Sequence, residues 1–305
     1  MRIIQSETPR PLNLLAVGPS GLVAAASNRF GVAGGVDVWD AASGVKRFTH
    51  ATRSEALAFV HGDQYLLLGE QPIVTILDAA TGAKVRPDLQ SNWCQLAASG
   101  DGSRLLGGDS PIEVGFVSCF AVEEVLDFRR LWAEHRTSHC WFKAFALNHD
   151  GSRWTWAEQA ETARNRPTLT LSVGDGDTGR QLVSTALDPA SPVRQLAFTA
   201  DGAKLLVRTD DRKVQLFDAT TGAAAGELVH PGRPFVTGIA VHPRGPVACA
   251  RTNGTVTFWN PDTCEQLRTF DWKAGRLVSV AFSPDGSLAA AGTEDGKIVV
   301  WDVDV

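Results

Sequence analysis

Short apolar runs alternate with tight turns along the whole chain, at a nearly constant spacing. An apolar–Ala–apolar motif occurs seven times, and its central alanine recurs at steps of 42, 39, 49, 51, 43 and 41 residues. The seven central residues are Ala16, Ala58, Ala97, Ala146, Ala197, Ala240 and Ala281. Most motifs are followed by a turn rich in Gly and Asp, as in Ser-Pro-Asp-Gly at 283–286, and then by a second apolar run. Because Gly and Asp favour tight turns, the pattern predicts seven β-hairpins.

A second turn motif closes most of the repeated units. Asp-x-x-[Ser/Thr]-Gly begins at Asp40, Asp78, Asp175 and Asp218. Alternating apolar residues precede it, as in Val-Gln-Leu-Phe at 214–217. Each unit therefore holds four short strands in about 44 residues, a length and strand count typical of β-propeller blades. We predict an all-β, seven-bladed β-propeller whose blades are four-stranded antiparallel sheets.

The chain resembles the WD-repeat family over its whole length, most strongly in unit 7. The resemblance rests on Val-Asp-Val-Trp-Asp at 36–40, Ala-Phe-Ser-Pro-Asp-Gly at 281–286 and Thr-Glu-Asp-Gly-Lys-Ile-Val-Val-Trp-Asp at 293–302. It implies a non-catalytic scaffold that binds a partner protein or peptide on the loop-rich face of the propeller.

The chain departs from the buried polar network that the resemblance implies, which joins a His, a Ser or Thr, an Asp and a third-strand Trp. Unit 7 has Asp295 and Trp301 but no His near Lys273. Unit 6 has Trp259 but carries Asn253 at the Asp position. We therefore expect the blades to depend more on apolar packing, with the alanine column in close contact and without spare volume.

Closure of the ring is expected to involve the N-terminus. Unit 7 supplies three strands of its own, and residues 2–6, before unit 1, are predicted to form a short strand. As is common in the family, we expect residues 2–6 to pair antiparallel with 297–302 and to complete the last blade. The chain is then a single domain, 1–305, with blades at roughly 11–50, 51–90, 91–138, 139–188, 189–231, 232–272 and 273–305 plus 1–7.

Composition narrows the classes of partner. The chain has 29 Lys and Arg against 34 Asp and Glu, a formal charge of −5, so neither nucleic acid nor an anionic membrane is expected as a partner. No apolar stretch approaches a membrane span, and the first residues lack a signal peptide's apolar core. Five scattered cysteines without a Cys-x-x-Cys favour a reducing, cytoplasmic setting. Arg outnumbers Lys 22 to 7, and Ala and Gly are abundant, which suggests a bacterial genome.

Catalytic motifs are scarce in the sequence. Gly-x-Ser-x-Gly, His-Glu-x-x-His and phosphate-binding glycine loops are missing from it. Alignment of the innermost strands places a chemically mixed ring at the mouth of the central channel, formed by Asn13, Glu55, Cys94, Lys143, Arg194, Thr237 and Val278. We expect no cofactor and no enzyme activity; the alternative is a hydrolase or lactonase-like propeller with a metal at the channel mouth.

Two segments have metal-like spacing. His135, His139 and Cys140 could bind zinc if the segment folded back on itself, although a surface loop with solvated histidines is the commoner outcome. In residues 175–179, Asp175 and Asp177 are spaced like the carboxylates of a calcium-binding loop. The matching turns at Asp40, Asp78 and Asp218 contain only the first Asp. Asp175 therefore reads as an ordinary turn residue, since calcium needs about six oxygen ligands.

Seven of the nine Trp residues divide into structural and candidate binding residues. Trp39, Trp259 and Trp301 occupy the third-strand position, and Trp154 and Trp156 alternate on one strand, which indicates packing. Trp132 and Trp141 flank a long connection between units 3 and 4, next to a predicted loop at 158–167. They are expected either to bind a partner or to cap a blade.

The channel-mouth alignment also marks the positions that open each innermost strand on the loop-rich face. Long loops on a rigid scaffold are common binding sites, so we predict a partner-binding face centred near blade 4. Its residues are Arg53, Asn92, Trp132, Trp141, Arg164, Arg166, Asp210, Phe235, Arg276 and Glu294.

Overall fold

The fold comes from a computed structural model. It describes residues 1–7, 9–27, 35–52, 54–70, 73–90, 95–109, 114–122, 128–137, 140–161, 167–188 and 191–303.

The described residues form seven four-stranded antiparallel sheets around a central channel, which confirms the predicted seven-bladed β-propeller. Blade 1 contains β2 (Leu14–Val17), β3 (Leu22–Ala26), β4 (Val36–Asp40) and β5 (Lys46–His50). Blade 2 contains β6 (Ala56–Val60), β7 (Tyr65–Glu70), β8 (Ile73–Asp78) and β9 (Leu89–Gln90). Blade 3 contains β10 (Gln95–Ala98), β11 (Arg104–Asp109), β12 (Val114–Val122) and β13 (Phe128–Thr137). Blade 4 contains β14 (Cys140–Leu147), β15 (Arg153–Glu161), β16 (Pro167–Asp175) and β17 (Gln181–Leu187). Blade 5 contains β18 (Val193–Phe198), β19 (Lys204–Thr209), β20 (Lys213–Asp218) and β21 (Ala224–Val229). Blade 6 contains β22 (Val236–Val241), β23 (Val247–Arg251), β24 (Thr255–Trp259) and β25 (Gln266–Asp271). Blade 7 contains β26 (Leu277–Phe282), β27 (Leu288–Thr293), β28 (Lys297–Asp302) and the N-terminal strand β1 (Arg2–Gln5). In the parts of the chain that are described, no helix is long and apolar enough to cross a membrane.

The N-terminal strand closes the ring as predicted. Strand β1 pairs antiparallel with β28, from Arg2 opposite Val300 to Gln5 opposite Lys297. Its Ile4 side chain is 5% exposed and packs between blades 7 and 1. The first and last parts of the chain thus share one sheet, which leaves no open seam in the ring.

Apolar packing between neighbouring blades forms the core. The second and third strands of the blades bury side chains on both faces of the sheet, because every blade lies between two others, whereas outer strands such as β21 and β25 are largely exposed. The third-strand residues Trp39, Trp259 and Trp301 are buried. Trp154 and Trp156 are fully buried and stack at 3.7 Å between ring centroids, as their alternation on one strand predicts.

The Asp-x-x-[Ser/Thr]-Gly turns share one hydrogen-bond pattern. In the first, Asp40 Oδ1 accepts from the Ser43 amide at 2.8 Å and from the Ser43 hydroxyl at 2.9 Å. These bonds, with one from Arg47, lower the pKa of Asp40 to about 2. Asp175 makes the same pair of bonds to Thr178, which confirms it as a turn residue.

Blades 3 and 4 have the longest strands among those described. Strands β12 to β16 contain 8 to 10 residues, against 6 or fewer in all the others except the seven-residue β17. The loop predicted at 158–167 is therefore wrong at both ends, since Glu158–Glu161 belong to β15 and Pro167 begins β16. Part of the extra length is paired strand because continued pairing satisfies backbone groups that a loop would leave to water.

Buried polar groups differ from blade to blade. In blade 1, Arg10 and Asp37 form a buried ion pair at 2.6 Å, and Thr49 donates a further hydrogen bond to Asp37. Between blades 5 and 6, His230 follows β21 and lies against Trp259 of blade 6, with ring centroids 4.8 Å apart. Neither ring nitrogen of His230 has a hydrogen-bond partner among the described residues. Burial, together with the charge of Arg251, lowers the pKa of His230 to about 4.

Ring closure by β1 can be tested with two adjacent isoleucines. Ile4→Ala should lower the free energy of unfolding by about 2–5 kcal/mol, because Ile4 is buried between two blades. Ile3→Ala is the matched control, since Ile3 is 44% exposed, and should change it by less than about 0.5 kcal/mol. Urea unfolding of both variants measures this. Equal stability of the Ile4→Ala variant and the wild type would contradict closure by β1.

The burial of His230 predicts a dependence of stability on pH. The neutral ring is buried in the folded state, whereas the unfolded chain binds a proton below the ordinary histidine pKa near 6.5. Stability should therefore fall as the pH decreases from 6.5 towards 4, by up to about 1.4 kcal/mol per pH unit from this group. His230→Phe should remove that part of the slope in urea unfolding, and His149→Gln, at an exposed histidine, should not. An unchanged slope in His230→Phe refutes the assignment.

Candidate functional site

The channel mouth opens on the face where the innermost strands begin, which we call the loop face; the opposite face is the turn face. In blades 4 to 7 each innermost strand carries a β-bulge near its start, and the bulged residues are Lys143, Arg194, Thr237 and Val278. A bulge turns a side chain out of the regular alternation of the strand. The four bulges thus direct these side chains towards the channel mouth rather than between the blades.

Six residues of the predicted mouth ring line one cavity of about 790 Å³. They are Asn13, Glu55, Lys143, Arg194, Thr237 and Val278; Cys94 lies outside the described residues. Asn13 and Glu55 immediately precede β2 and β6, so the ring passes through blades with and without a bulge. The alignment on the alanine column therefore identified the correct level of the channel.

The alanine column lines a second cavity of about 520 Å³ towards the turn face. All seven central alanines border this cavity. The expectation that they lie in close contact without spare volume is wrong, because their short side chains leave the channel open. The alanine column therefore borders open space in the middle of the ring instead of filling it.

Cations collect on one side of the mouth, on blades 4 and 5. Arg194 donates two hydrogen bonds to Asp210 Oδ2, from Nη2 at 2.6 Å and from Nε at 2.8 Å. Burial, with the nearby charge of Arg194, lowers the pKa of the Lys143 ammonium. Glu55, on blade 2, is the carboxylate among the described residues that line this cavity.

Arg208 is a third cation at the mouth, and our sequence analysis missed it. Its Nε donates to Gln195 Oε1 and its Nη1 to the Val236 carbonyl, both at 3.3 Å. Burial lowers the pKa of Arg208 to about 10, so the guanidinium remains charged at neutral pH. A comparison of second strands could have found it, because Arg208 interrupts the small residues that the other blades carry there.

Gln195 holds blades 5 and 6 together beside this site. Its side-chain amide donates to the Ile239 carbonyl at 2.7 Å and accepts from the Ile239 amide at 3.0 Å. The Gln195 side chain thus donates to and accepts from one backbone residue, as a neighbouring β-strand would, and the two hydrogen bonds connect blade 5 to blade 6. Because Gln195 also receives the Arg208 bond, the blade interface and the position of the cation depend on the same side chain.

The other predicted residues of the loop face are distributed around the mouth. Phe235 is 47% exposed, and the Arg212 guanidinium lies 5.8 Å from its ring centroid. Arg276 pairs with Glu294 at 3.6 Å, and both side chains are about half exposed. The backbone of Trp141 pairs with Gln159 in the extended part of blade 4, and its side chain lies outside the described residues. So do Arg53, Asn92, Arg164 and Arg166.

Trp132 lies apart from this group. It belongs to β13 in blade 3, and its Nε1 donates to the Gly176 carbonyl at 2.7 Å, in a turn of blade 4 on the turn face. Its ring centroid is 5.8 Å from that of Trp154 and 6.4 Å from that of Trp156. This half-buried, hydrogen-bonded position favours the packing alternative for Trp132.

The described residues contain no group of three or more His, Cys, Asp or Glu side chains arranged to hold a metal. The side chains of His135, His139 and Cys140 lie outside this part of the chain. Asp177, the extra carboxylate of the calcium-like turn, pairs with Arg104 at 2.8 Å. Burial raises the pKa values of Cys119 and Cys249 to about 12, which keeps both thiols protonated and unreactive.

Comparison with protein families finds a match in one part of the chain. Residues 264–302 match the family described as "WD domain, G-beta repeat". The WD repeat-containing protein SL1-17 of Schistosoma mansoni is 32% identical over 42% of this chain and 42% of its own length. The WD repeat-containing protein VIP3 of Arabidopsis thaliana is 27% identical over 53% and 57%. The comparisons support a WD-repeat propeller.

Solved structures show the same fold at low identity. The Cps50 (Swd1) β-propeller domain of Myceliophteria thermophila superposes with a TM-score of 0.72 at 15% identity, covering 99% of this chain and 100% of that one. A chain of the mitotic checkpoint complex superposes with a TM-score of 0.73 at 16% identity, covering 100% and 95%. The chain spans about half the length of SL1-17 and VIP3, and both relatives are eukaryotic, which gives no support to a bacterial origin.

The Gln195 contact predicts a measurable contribution to stability. Gln195→Leu should lower the free energy of unfolding by about 1–3 kcal/mol, because the Ile239 amide and carbonyl lose their partners. Gln215→Leu is the matched control, since the side chain of Gln215 forms no hydrogen bond within the described part of blade 5. Equal stabilities of the two variants in urea would show that Gln195 does not join the blades.

Proposed function

We propose that this chain is a non-catalytic WD-repeat scaffold that binds a partner protein or peptide on its loop face. The observation that carries the proposal is the exposed ring of contact groups around the channel mouth. Phe235 offers an apolar anchor, and Arg276 and Arg194 offer forked donors that are more than half exposed. Aromatic and arginine side chains supply most of the binding energy at protein interfaces.

Several features favour a site centred on blades 4 to 6. The long strands of blades 3 and 4 extend the sheets, and blade 4 carries Trp141 in the extended part of β14. Blades 5 and 6 add Asp210 and Phe235 on the same face. The relatives named as WD-repeat proteins support a scaffold, since their names state a repeat and no reaction. We also propose a cytoplasmic location, on the basis of the cysteine usage alone.

The chemistry of the mouth favours binding over hydrolysis. A hydrolytic metal site needs several converging carboxylate or imidazole ligands. The described lining of the mouth instead offers Glu55 among three cations, Lys143, Arg194 and Arg208. No observation on the described residues favours the hydrolase alternative.

The proposal can be tested by partner capture with matched variants. Phe235→Ala and Arg276→Glu should each weaken capture of a host partner, by about 2 kcal/mol or more for the aromatic anchor. Leu182→Ala and Arg47→Glu are the controls, because Leu182 is 43% exposed on the outer strand of blade 4 and Arg47 is half exposed beside a turn of the turn face. Quantitative mass spectrometry of captured proteins measures the effect. Loss of capture in the controls, with the loop-face variants unaffected, would place the interface elsewhere.

A further inference from the structure

The position of Arg208 in the sheet is exceptional. In the other six blades, the residue at the same register of the second strand is Ala or Gly: Ala26, Gly69, Gly108, Ala157, Ala250 and Gly292. Small residues fit there because the neighbouring blade is close; a Cβ on Gly108, for example, would lie 2.3 Å from the Phe145 ring. Blade 5 places the longest cationic side chain at this level, and Arg208 reaches the lining of the mouth.

Arg208 is hydrogen-bonded through two of its three nitrogens and has donor capacity to spare. Its Nε and Nη1 are fixed by Gln195 and the Val236 carbonyl, while its Nη2 donates to no described residue. The partly buried Arg208 guanidinium has no carboxylate in direct contact among the described residues, and an anion that accepts from it would offset the cost of this partial burial. The side chain is therefore positioned in advance for an acceptor that enters from the mouth.

Two further cations face the same space. Lys143 and Arg194 are bulge residues on adjacent innermost strands, so both are directed to the mouth beside Arg208. Arg194 is paired with Asp210, but both side chains of this ion pair are more than half exposed, so Asp210 can be exchanged for another carboxylate at low cost. Three cationic side chains thus line this side of the mouth, in a chain whose net charge is −5.

We propose that the partner contributes an acidic segment, one carboxylate of which enters the mouth between Lys143, Arg194 and Arg208. This inference rests on the proposed function, that the loop face binds a protein, and adds the chemistry of the recognised segment. A peptide fits better than a free anion for two reasons. The cavity of about 790 Å³ is far larger than one anion, and Phe235 on the next blade offers an apolar contact that only a longer ligand can reach at the same time.

The test uses short displayed peptides selected on the whole protein, followed by fluorescence anisotropy with the best synthetic peptide. We expect the selected peptides to be enriched in Asp and Glu. Replacing the critical Glu by Gln in the peptide should weaken binding at least about tenfold. Lys143→Gln and Arg194→Gln should each weaken binding of the Glu peptide while the Gln peptide loses little. Arg208→Gln should do the same, and its melting temperature reports whether it remains folded.

Exchanging the charges between the peptide and Lys143 tests the proposed contact more directly than removing either charge. A peptide with Lys in place of the critical Glu should bind the wild type poorly and recover affinity on Lys143→Glu. Arg47→Gln is the matched control, because Arg47 also pairs with an Asp at 2.6 Å and is half exposed, but lies on the turn face of blade 1. It should bind both peptides as the wild type does.

Four outcomes would overturn the inference. Selected peptides without an excess of acidic residues would do so, as would an absence of recovery on Lys143→Glu. Displacement of the peptide by inorganic phosphate, with the Glu and Gln peptides bound equally, would identify a small-anion site instead. Peptide binding could be lost on Phe235→Ala yet remain unchanged in the Lys143→Gln, Arg194→Gln and Arg208→Gln variants. That result would support peptide binding on the loop face and contradict only the recognition of an acidic segment.

Discussion

Closure of the ring by β1 is the constraint on which the rest of the structure depends. A propeller blade buries both faces only when it has a neighbour on each side, so one open seam would expose two apolar blade faces at once. Pairing of β1 with β28 prevents this, since the strand that precedes blade 1 is an integral part of blade 7. Ile4 and Leu12 then pack into the same interface. The closed ring fixes the diameter of the channel and therefore the distance between side chains that face each other across its mouth.

Within that ring, small departures from regular pairing create the candidate site. The bulges of blades 4 to 7 each shift one residue out of register, and in blades 4 and 5 that residue is a cation. Gln195 adds a side-chain bridge between blades 5 and 6 and also accepts from Arg208. The charged side chains at the mouth thus lie on paired strands rather than on loops, which would limit the entropy lost on binding of the proposed partner.

Much of the fold was predictable, because the motifs that mark strands and turns recur from one repeat to the next. The alanine column identified the inner strands and the level of the mouth, and the turn motif of Asp40 identified the ordinary role of Asp175. What the sequence left open depends on contacts between repeats. The burial of Trp132 against Trp154 is one such contact, and the reach of Arg208 from a position of small residues is another. The sequence analysis also predicted β15 to be too short. Polar residues such as Glu158 and Gln159 are typical of loops, and their pairing with β16 is visible only in the structure.

The most direct test of the account is hydrogen exchange of the protein alone and in complex with a captured partner. The account predicts slower exchange on the loop face, at the amides around Lys143, Arg194 and Asp210 and in the segment that leads to Phe235. Exchange at the turn-face glycines Gly102, Gly151 and Gly222 should not change. Protection confined to those turns, with the loop face exchanging as in the free protein, would contradict a binding site at the channel mouth.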